Sequence, residues 1–267
     1  MDGFATLGGP EADPTRSGSP VASIDLNSDL GEGAGTEAAI MPLITSANVA
    51  CGAHAGDETT MHDAIALARR HGVAVGAHPG YRDPASFGRR ALDIAPDELL
   101  RDLRAQIETL RRVADRLSMP VVHVKAHGAL YNRGERDGAV AAVIARAVRE
   151  TDASLVVFAP PGSAMERAAR DSGLGVAREG FIDRAYEPDG TLRSRSLAGA
   201  LLTDPAAAAA QALSFVRDGG VRVGDGTFLP LAVETLCVHG DTPGAPEILR
   251  AARAALEAAG VVIRRVA

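Results

Sequence analysis

The sequence predicts an α/β fold in which a parallel sheet, open or closed into a (β/α) barrel, carries helices on its outside. Three observations predict it. Short apolar stretches alternate with longer Ala/Arg/Glu/Leu-rich stretches of helical period, and repeated βα units imply parallel strands. No linker-like stretch interrupts this pattern after residue 20, so residues 21–267 read as one domain. Polar clusters recur where strands end and loops toward helices begin, which is where such folds collect reactive side chains.

Residues 1–20 hold Gly3, Gly8, Gly9, Pro10, Pro14, Gly18 and Pro20 and lack the basic start and apolar run of a signal peptide, so they read as a flexible leader. Strands are expected over Val21–Asn27 and Ile44–Ala50. The helix Glu58–His71 follows, with Met61, Ile65 and Ala68 on one face and Asp57 as a candidate cap. Val73–His78 is a strand. Pro96–Leu117 is a long helix, with Asp97 and Glu98 in its first turn and Leu99, Leu103, Ile107 and Leu110 at helical spacing. The pattern continues with strand Val121–Lys125, helix Gly138–Val148, strand Leu155–Phe158, helix Ser163–Asp171 and strand Gly175–Arg178. Helix Pro205–Arg217, with Asp204 as its cap, precedes strand Leu231–Val238. Helix Pro246–Ala259, stopped by Gly260 and capped by Asp241 or Thr242, and strand Val261–Val266 complete the chain.

The net charge of −6 and pI near 5.7 argue against nucleic acid or an anionic membrane surface as partner. No apolar run reaches the length needed to cross a bilayer. Two cysteines, Cys51 and Cys237, are too few for a disulfide framework, and a reducing cytoplasm is the expected location. Of the 28 basic residues only Lys125 is lysine. A chain that uses arginine everywhere else retains lysine where a compact ammonium, or one that can lose its proton, is needed. The three asparagines (Asn27, Asn48, Asn132) and three tyrosines (Tyr81, Tyr131, Tyr186) also lie in or beside the polar clusters.

Six clusters could carry chemistry. In Asp25–Gly33, strand alternation turns Asp25 and Asn27 inward, and Asp29 and Glu32 follow; inward carboxylates need a cation or a hydrogen-bond donor. In Asn48–Asp57, small residues allow close approach to a ligand and His54 is a proton carrier or metal ligand; Cys51 reads as a buried structural thiol before a nucleophile. Gly76–Asp83 places His78 inward at a strand end. His123–Asn132 aligns His123, Lys125 and His127 on one face, a cationic row that the acids of the first cluster would offset. Glu179–Tyr186 and Cys237–Pro243 complete the set. His62 and His71, within a helix, read as surface residues.

Taken together, DLNSDLGEG (25–33), NVACGAHAGD (48–57), GAHPGYRD (76–83), VKAHGALYN (124–132), EGFIDRAY (179–186) and CVHGDTP (237–243) resemble the LamB/YcsF family from about residue 23 onward. One departure is Ala126, where the family pattern has proline. The resemblance implies a (β/α) barrel, seven-stranded and similar to polysaccharide deacetylases. It implies the role of the A subunit of a 5-oxoprolinase, which with subunits B and C opens 5-oxoproline to glutamate, with ATP as co-substrate. The sequence has no phosphate loop, so ATP-dependent activation is expected to lie with the partners.

On that reading, Asp25 or Asp29 would orient or deprotonate water. Lys125, with Arg184, would hold phosphate or carboxylate oxygens, and His54, His127 and His239 would serve as general acid or base. Asn27, Glu32, Asn48, His78, Tyr81, Tyr131, Asn132, Glu179, Arg184 and Asp241 would contact the substrate. Two other readings remain open. One is a metal-dependent, deacetylase-like hydrolase using a divalent ion held by Asp25 or Asp29 with two histidines. The other is a ligand-binding subunit without catalysis.

Overall fold

The computed structural model describes residues 22–267, so the expected leader at 1–20 lies outside the described residues. In chain order the elements are β1 (Ser23–Leu30), α1 (Glu37–Ile40), β2 (Ser46–Ala50), α2 (Glu58–His71), β3 (Ala74–His78), α3 (Pro96–Arg116), β4 (Val121–Lys125), α4 (Gly128–Arg136) and α5 (Gly138–Thr151). They continue as β5 (Val156–Ala159), α6 (Ala164–Asp171), β6 (Gly175–Phe181), α7 (Pro205–Leu213), β7 (Gly220–Arg222), β8 (Phe228–Pro230), β9 (Thr235–His239), α8 (Ala245–Ala258) and β10 (Val262–Ile263).

Seven parallel strands, in the order β1-β2-β3-β4-β5-β6-β9, close into a barrel because β9 also pairs with β1, from Asp25 opposite Thr235 to Asp29 opposite His239. The short β10 adds beside the start of β1, outside the ring. Strands covered on both faces are buried throughout, as β2 and β3 are at every residue. Outward-facing Ile24, Leu26, Ala47, Val49, Val75 and Val124 meet the helices. The longest helix, α3, buries Leu99, Leu103, Ile107, Leu110 and Val113 on one stripe. Each such side chain contributes roughly 1.5–3 kcal/mol by leaving water.

Local signals set most boundaries. Asp57 caps α2 in a reciprocal box with Thr60, and Gly72 ends it at φ 68°. Asp204 accepts from Ala206 and Ala207 at the start of α7. Other boundaries depart from the sequence reading. The strand β1 runs to Leu30, which puts Asp29 inside it, and β6 runs to Phe181, which puts Glu179 inside it. Helix α4 and the antiparallel hairpin β7–β8 had no counterpart in the expected pattern. Residues 231–234 lie outside β9, and helix 205–217 gives way after Leu213 to a π-helical turn, Ser214–Asp218. The final strand contracts to two residues. Helix α8 follows Gly244, which offers no side-chain cap. Thr242 instead donates to Asp183 and Asp241 pairs with Arg89 and Arg195.

Candidate active site

A cavity of about 380 Å³ opens at the C-terminal end of the barrel strands. Its floor carries Asp29, Lys125, His78 and His127; its wall carries Tyr131, Asn132, Phe181, His239 and the buried Arg184; its rim carries Arg89, Arg136, Arg195 and Asp241.

Lys125 occupies the centre of the floor. Its Nζ lies 2.9 Å from Asp29 Oδ1, 2.9 Å from Glu179 Oε1 and 3.0 Å from Cys237 Sγ, with Asn27 Oδ1 at 3.5 Å. Burial opposes the charge on the ammonium, but Asp29, Cys237 and Glu179 hold its pKa well above the ordinary lysine range. Burial likewise opposes the Asp29 carboxylate, and His78 and Lys125 hold its pKa well below the ordinary value. Glu179 is fixed further by Tyr131, whose hydroxyl donates to Oε2 at 2.8 Å, and by Asn27 Nδ2, which donates to Oε1 at 3.0 Å. An ammonium has three hydrogens, and three protein partners already engage them.

Asn48 fixes Asp29 from the other side, donating to its Oδ1 at 2.9 Å and to Asn27 Oδ1 at 2.8 Å. The Asn48 carbonyl oxygen in turn lies 2.8 Å from His123 Nε2. The His123 ring stacks on Phe158 at 4.2 Å between centroids and fits because residue 76 is glycine; a Cβ there would overlap His123 Nε2. Burial pushes the His123 pKa down to about 3, so this imidazole is neutral. On β4 the ammonium therefore has a neutral ring beside it, and burial also lowers the His127 pKa, so the expected cationic row does not form.

His54, His78 and His127 converge on Glu32. Glu32 Oε1 lies 3.0 Å from His54 Nε2, 3.1 Å from His127 Nδ1 and 3.7 Å from His78 Nε2. The rings of His54 and His127 stack at 3.6 Å. Gly80 and Gly88 permit this packing: a Cβ on Gly80 would lie 3.0 Å from His54 Nδ1, and one on Gly88 would lie 2.8 Å from His54 Cβ. Burial pulls the His54 pKa down to about 4.

On the opposite wall His239 Nδ1 lies 2.9 Å from Asp183 Oδ2, and its ring stacks on Phe181. Asp183 is fully buried and also accepts from the His239 backbone N–H at 3.0 Å and from Thr242 at 2.6 Å. Burial opposes its charge, but His239 and Thr242 keep its pKa below the ordinary carboxylate value. In the neutral ring, Nδ1–H donated to Asp183 leaves the lone pair on Nε2, the arrangement of an oriented proton acceptor.

Of the residues singled out from the sequence, Asp29, Glu32, His78, Lys125, His127, Tyr131, Asn132, Arg184, His239 and Asp241 line one cavity. His54, Asn27, Asn48 and Glu179 stand directly behind them. Asp25 is elsewhere: it lies below Asn27, sealed by hydroxyls of Thr45 (2.6 Å), Ser46 (2.7 Å) and Thr235 (2.5 Å), and burial raises its pKa. Tyr81 is buried outside the cavity lining. Cys51 is buried with its pKa pushed up to about 12, which makes it a poor nucleophile. Arg184 donates to the carbonyls of Ala200 and Arg193.

Sequence reasoning passed over Asp183, Phe181, Glu135, Arg89 and Arg195. Asp183 lay inside the EGFIDRAY cluster, and the carboxylate–imidazole pair it makes with His239 spans 56 positions. Glu135 stands three residues after Asn132 and four after Tyr131 on α4, so helical spacing could have found it once that helix was recognised. Burial pushes its carboxyl up to about 7. Arg195 lies in an irregular loop and gave no signal.

Comparison with known proteins bears on this arrangement. The chain is 50% identical over 249 residues to the A subunit of 5-oxoprolinase from Symbiobacterium thermophilum, covering 91% of this chain and 95% of that one. It superposes on the crystal structure of the lactam utilization protein from Thermus thermophilus with a TM-score of 0.85 and 44% identity, covering 91% of this chain and 99% of the other. A likeness to T48 deacetylase (TM-score 0.50, 10% identity, 91% and 87% covered) supports the deacetylase-like barrel and nothing beyond the fold. The LamB/YcsF family model matches residues 24–267, and this chain belongs to the LamB/YcsF family.

Proposed function

We propose that this chain is the A subunit of a 5-oxoprolinase and that, with subunits B and C, it hydrolyses 5-oxoproline to L-glutamate coupled to hydrolysis of ATP. The observation that carries this reading is one cavity combining an oriented imidazole, a charged floor and a rim of guanidinium groups. The name borne by its half-identical relative supports it.

Opening a five-membered lactam adds water across a resonance-stabilised C–N bond: the carbon takes hydroxyl and the nitrogen leaves as amine with a proton. His239, held by Asp183, is suited to take a proton from attacking water through its free Nε2. Asp29 is suited to orient water, being a carboxylate fixed by Lys125 and Asn48 on the floor. The rim arginines suit the anionic carboxylate of the substrate or a phosphorylated oxygen. The Lys125 hydrogens are taken up within the protein, so its proposed work is to hold Asp29 charged and to fix Asp29 and Glu179 in place. Activation by ATP is assigned to the partner subunits, because the sequence contains no phosphate loop. Among the described residues no helix is long and apolar enough to cross a membrane. Both cysteines are free thiols, which fits a cytoplasmic location.

The test is glutamate release from 5-oxoproline and ATP, assayed with the purified chain alone and with the two partner proteins added. The expected outcome is release only from the reconstituted complex. Full activity of the isolated chain would overturn the division of labour, and no activity of the complex would overturn the substrate.

A further inference from the structure

The geometry points to a binding site for one first-row divalent cation, Zn2+ in the first instance, formed by Glu32, His54, His78 and His127. One donor atom from each of these four residues lies within 4.8 Å of all the others. Four of the six separations are 3.0 Å (His54 Nε2 to Glu32 Oε1), 3.1 Å (His127 Nδ1 to Glu32 Oε1), 3.0 Å (His127 Nδ1 to His78 Nε2) and 3.7 Å (His78 Nε2 to Glu32 Oε1), and the other two are at most 4.8 Å. A tetrahedral ion with bonds of 2.0–2.1 Å sets its ligand atoms about 3.3 Å apart. These four values bracket that spacing, and the His54 ring, which stacks on that of His127, turns to bring its in-plane lone pair onto an ion held by the other three.

The outer nitrogens make the case stronger than spacing does. His78 Nδ1 lies 2.8 Å from the Lys125 carbonyl oxygen, and His127 Nε2 lies 2.9 Å from the Phe87 carbonyl oxygen. A carbonyl only accepts, so each of those nitrogens carries its hydrogen. In the neutral rings, His78 Nε2 and His127 Nδ1 are then bare, and they face each other and the Glu32 carboxylate. Two lone pairs and an anion at such distances require a cation between them, either a proton shared by the group or a metal ion. Imidazoles that bind metal commonly donate the other N–H to a backbone carbonyl in this way.

His54 differs from the other two rings in that its Nδ1 faces Gly80 and has no hydrogen-bond partner, so the site rests on His78, His127 and Glu32, with His54 Nε2 as the fourth donor. The Nε2 of that ring is directed at Glu32 and not at a protein donor. Gly80 and Gly88 leave room for the rings and nothing more. Three imidazoles with one carboxylate suit Zn2+ and its transition-metal neighbours better than Mg2+ or Ca2+, which favour oxygen ligands. Glu32, His78 and His127 line the cavity, so an ion can enter and present an open side to water or to a carbonyl oxygen. The site differs from the ligand set considered from the sequence, because Asp25 is remote and Asp29 is engaged by Lys125.

The experiment uses the full chain, stripped with chelator and incubated with Zn2+ or Mg2+. Metal is counted after gel filtration, and Co2+ absorption reports coordination. One Zn2+ retained per chain, no retained Mg2+, and intense four- or five-coordinate Co2+ bands are expected. Glu32→Gln and His127→Gln should each weaken retention at least about tenfold, and His62→Ala, on the exposed face of α2, should retain metal like the parent. Circular dichroism confirms that the variants compared are folded. Failure of the parent chain to retain zinc would leave the shared proton as the filler and overturn the site, as would retention unaffected by either ligand substitution. Ion uptake is read on the isolated chain, so it is independent of the outcome of the ring-opening assay.

Discussion

Asp25 and Asp29 lie on the same face of one strand, four residues apart, and their surroundings give them opposite characters. Asp25, deep in the barrel, is ringed by three hydroxyls, and burial raises its pKa. Asp29, at the mouth, meets an ammonium, an imidazole and an amide, and its pKa is held far down. The neighbours that alternate strands deliver at each depth decide whether a buried carboxyl braces the fold or faces a ligand with its charge intact.

The contrast can be tested most severely at Lys125. Lys125→Met leaves Asp29 and Glu179 buried without their shared cation, an error that costs about 3–5 kcal/mol. A matching fall in the urea midpoint at unchanged slope is expected, with loss of turnover in the reconstituted complex. A variant as stable as the parent would show that this ammonium does not brace the two carboxylates. Next in size is Asp25→Ala, which strands the hydroxyls of Thr45, Ser46 and Thr235 and is expected to cost about 3 kcal/mol. Turnover per folded molecule should survive. A large fall in turnover at undiminished stability would move Asp25 from the foundation of the barrel into its working end.

The smallest effect concerns Glu135 on the cavity wall. Its carboxyl titrates near 7 in the folded chain because it is buried, against an ordinary glutamate value of 4.5. Arg136 opposes the shift and Asp189 reinforces it. A folded pKa above the unfolded one means that the native state binds the extra proton, so stability is full below about pH 4.5 and declines as pH rises toward about 7. Glu135→Gln removes this decline. It should raise stability at pH 8 on the order of 2 kcal/mol and leave it unchanged at about pH 4. Equal melting curves for the variant and the parent at about pH 8 would place Glu135 in water.

Much of this arrangement was legible in the residues themselves. Alternation along β1 and β4 predicted that Asp25, Asn27, His123 and Lys125 point inward, because apolar residues occupy the other face of both strands. The long helices were legible from period and caps, as Asp57 and Asp204 show. What was lost was lost for physical reasons. The expected strand ends at Arg178, whereas closure of the ring keeps β6 paired with β9 as far as Phe181. Helix α4 was hidden because its first turn carries Gly128 at φ 52° and polar residues of the cavity wall. Which acid would meet Lys125 depended on how far β1 runs, and local sequence does not set that length. Partners such as Asp183 with His239 or Arg89 with Asp241 meet only through closure of the barrel.

The bare backbone at Gly76 has a reach far beyond its own strand. The hydrogen in place of a methyl on β3 admits an imidazole from β4; that ring seats an amide from β2; and the amide steadies a carboxylate on β1. An alanine there would clash with none of the cavity's own atoms, yet it would unseat the ring and, two contacts onward, loosen Asp29. In this barrel the aim of the Asp29 side chain is inherited from an atom that is absent on the far wall.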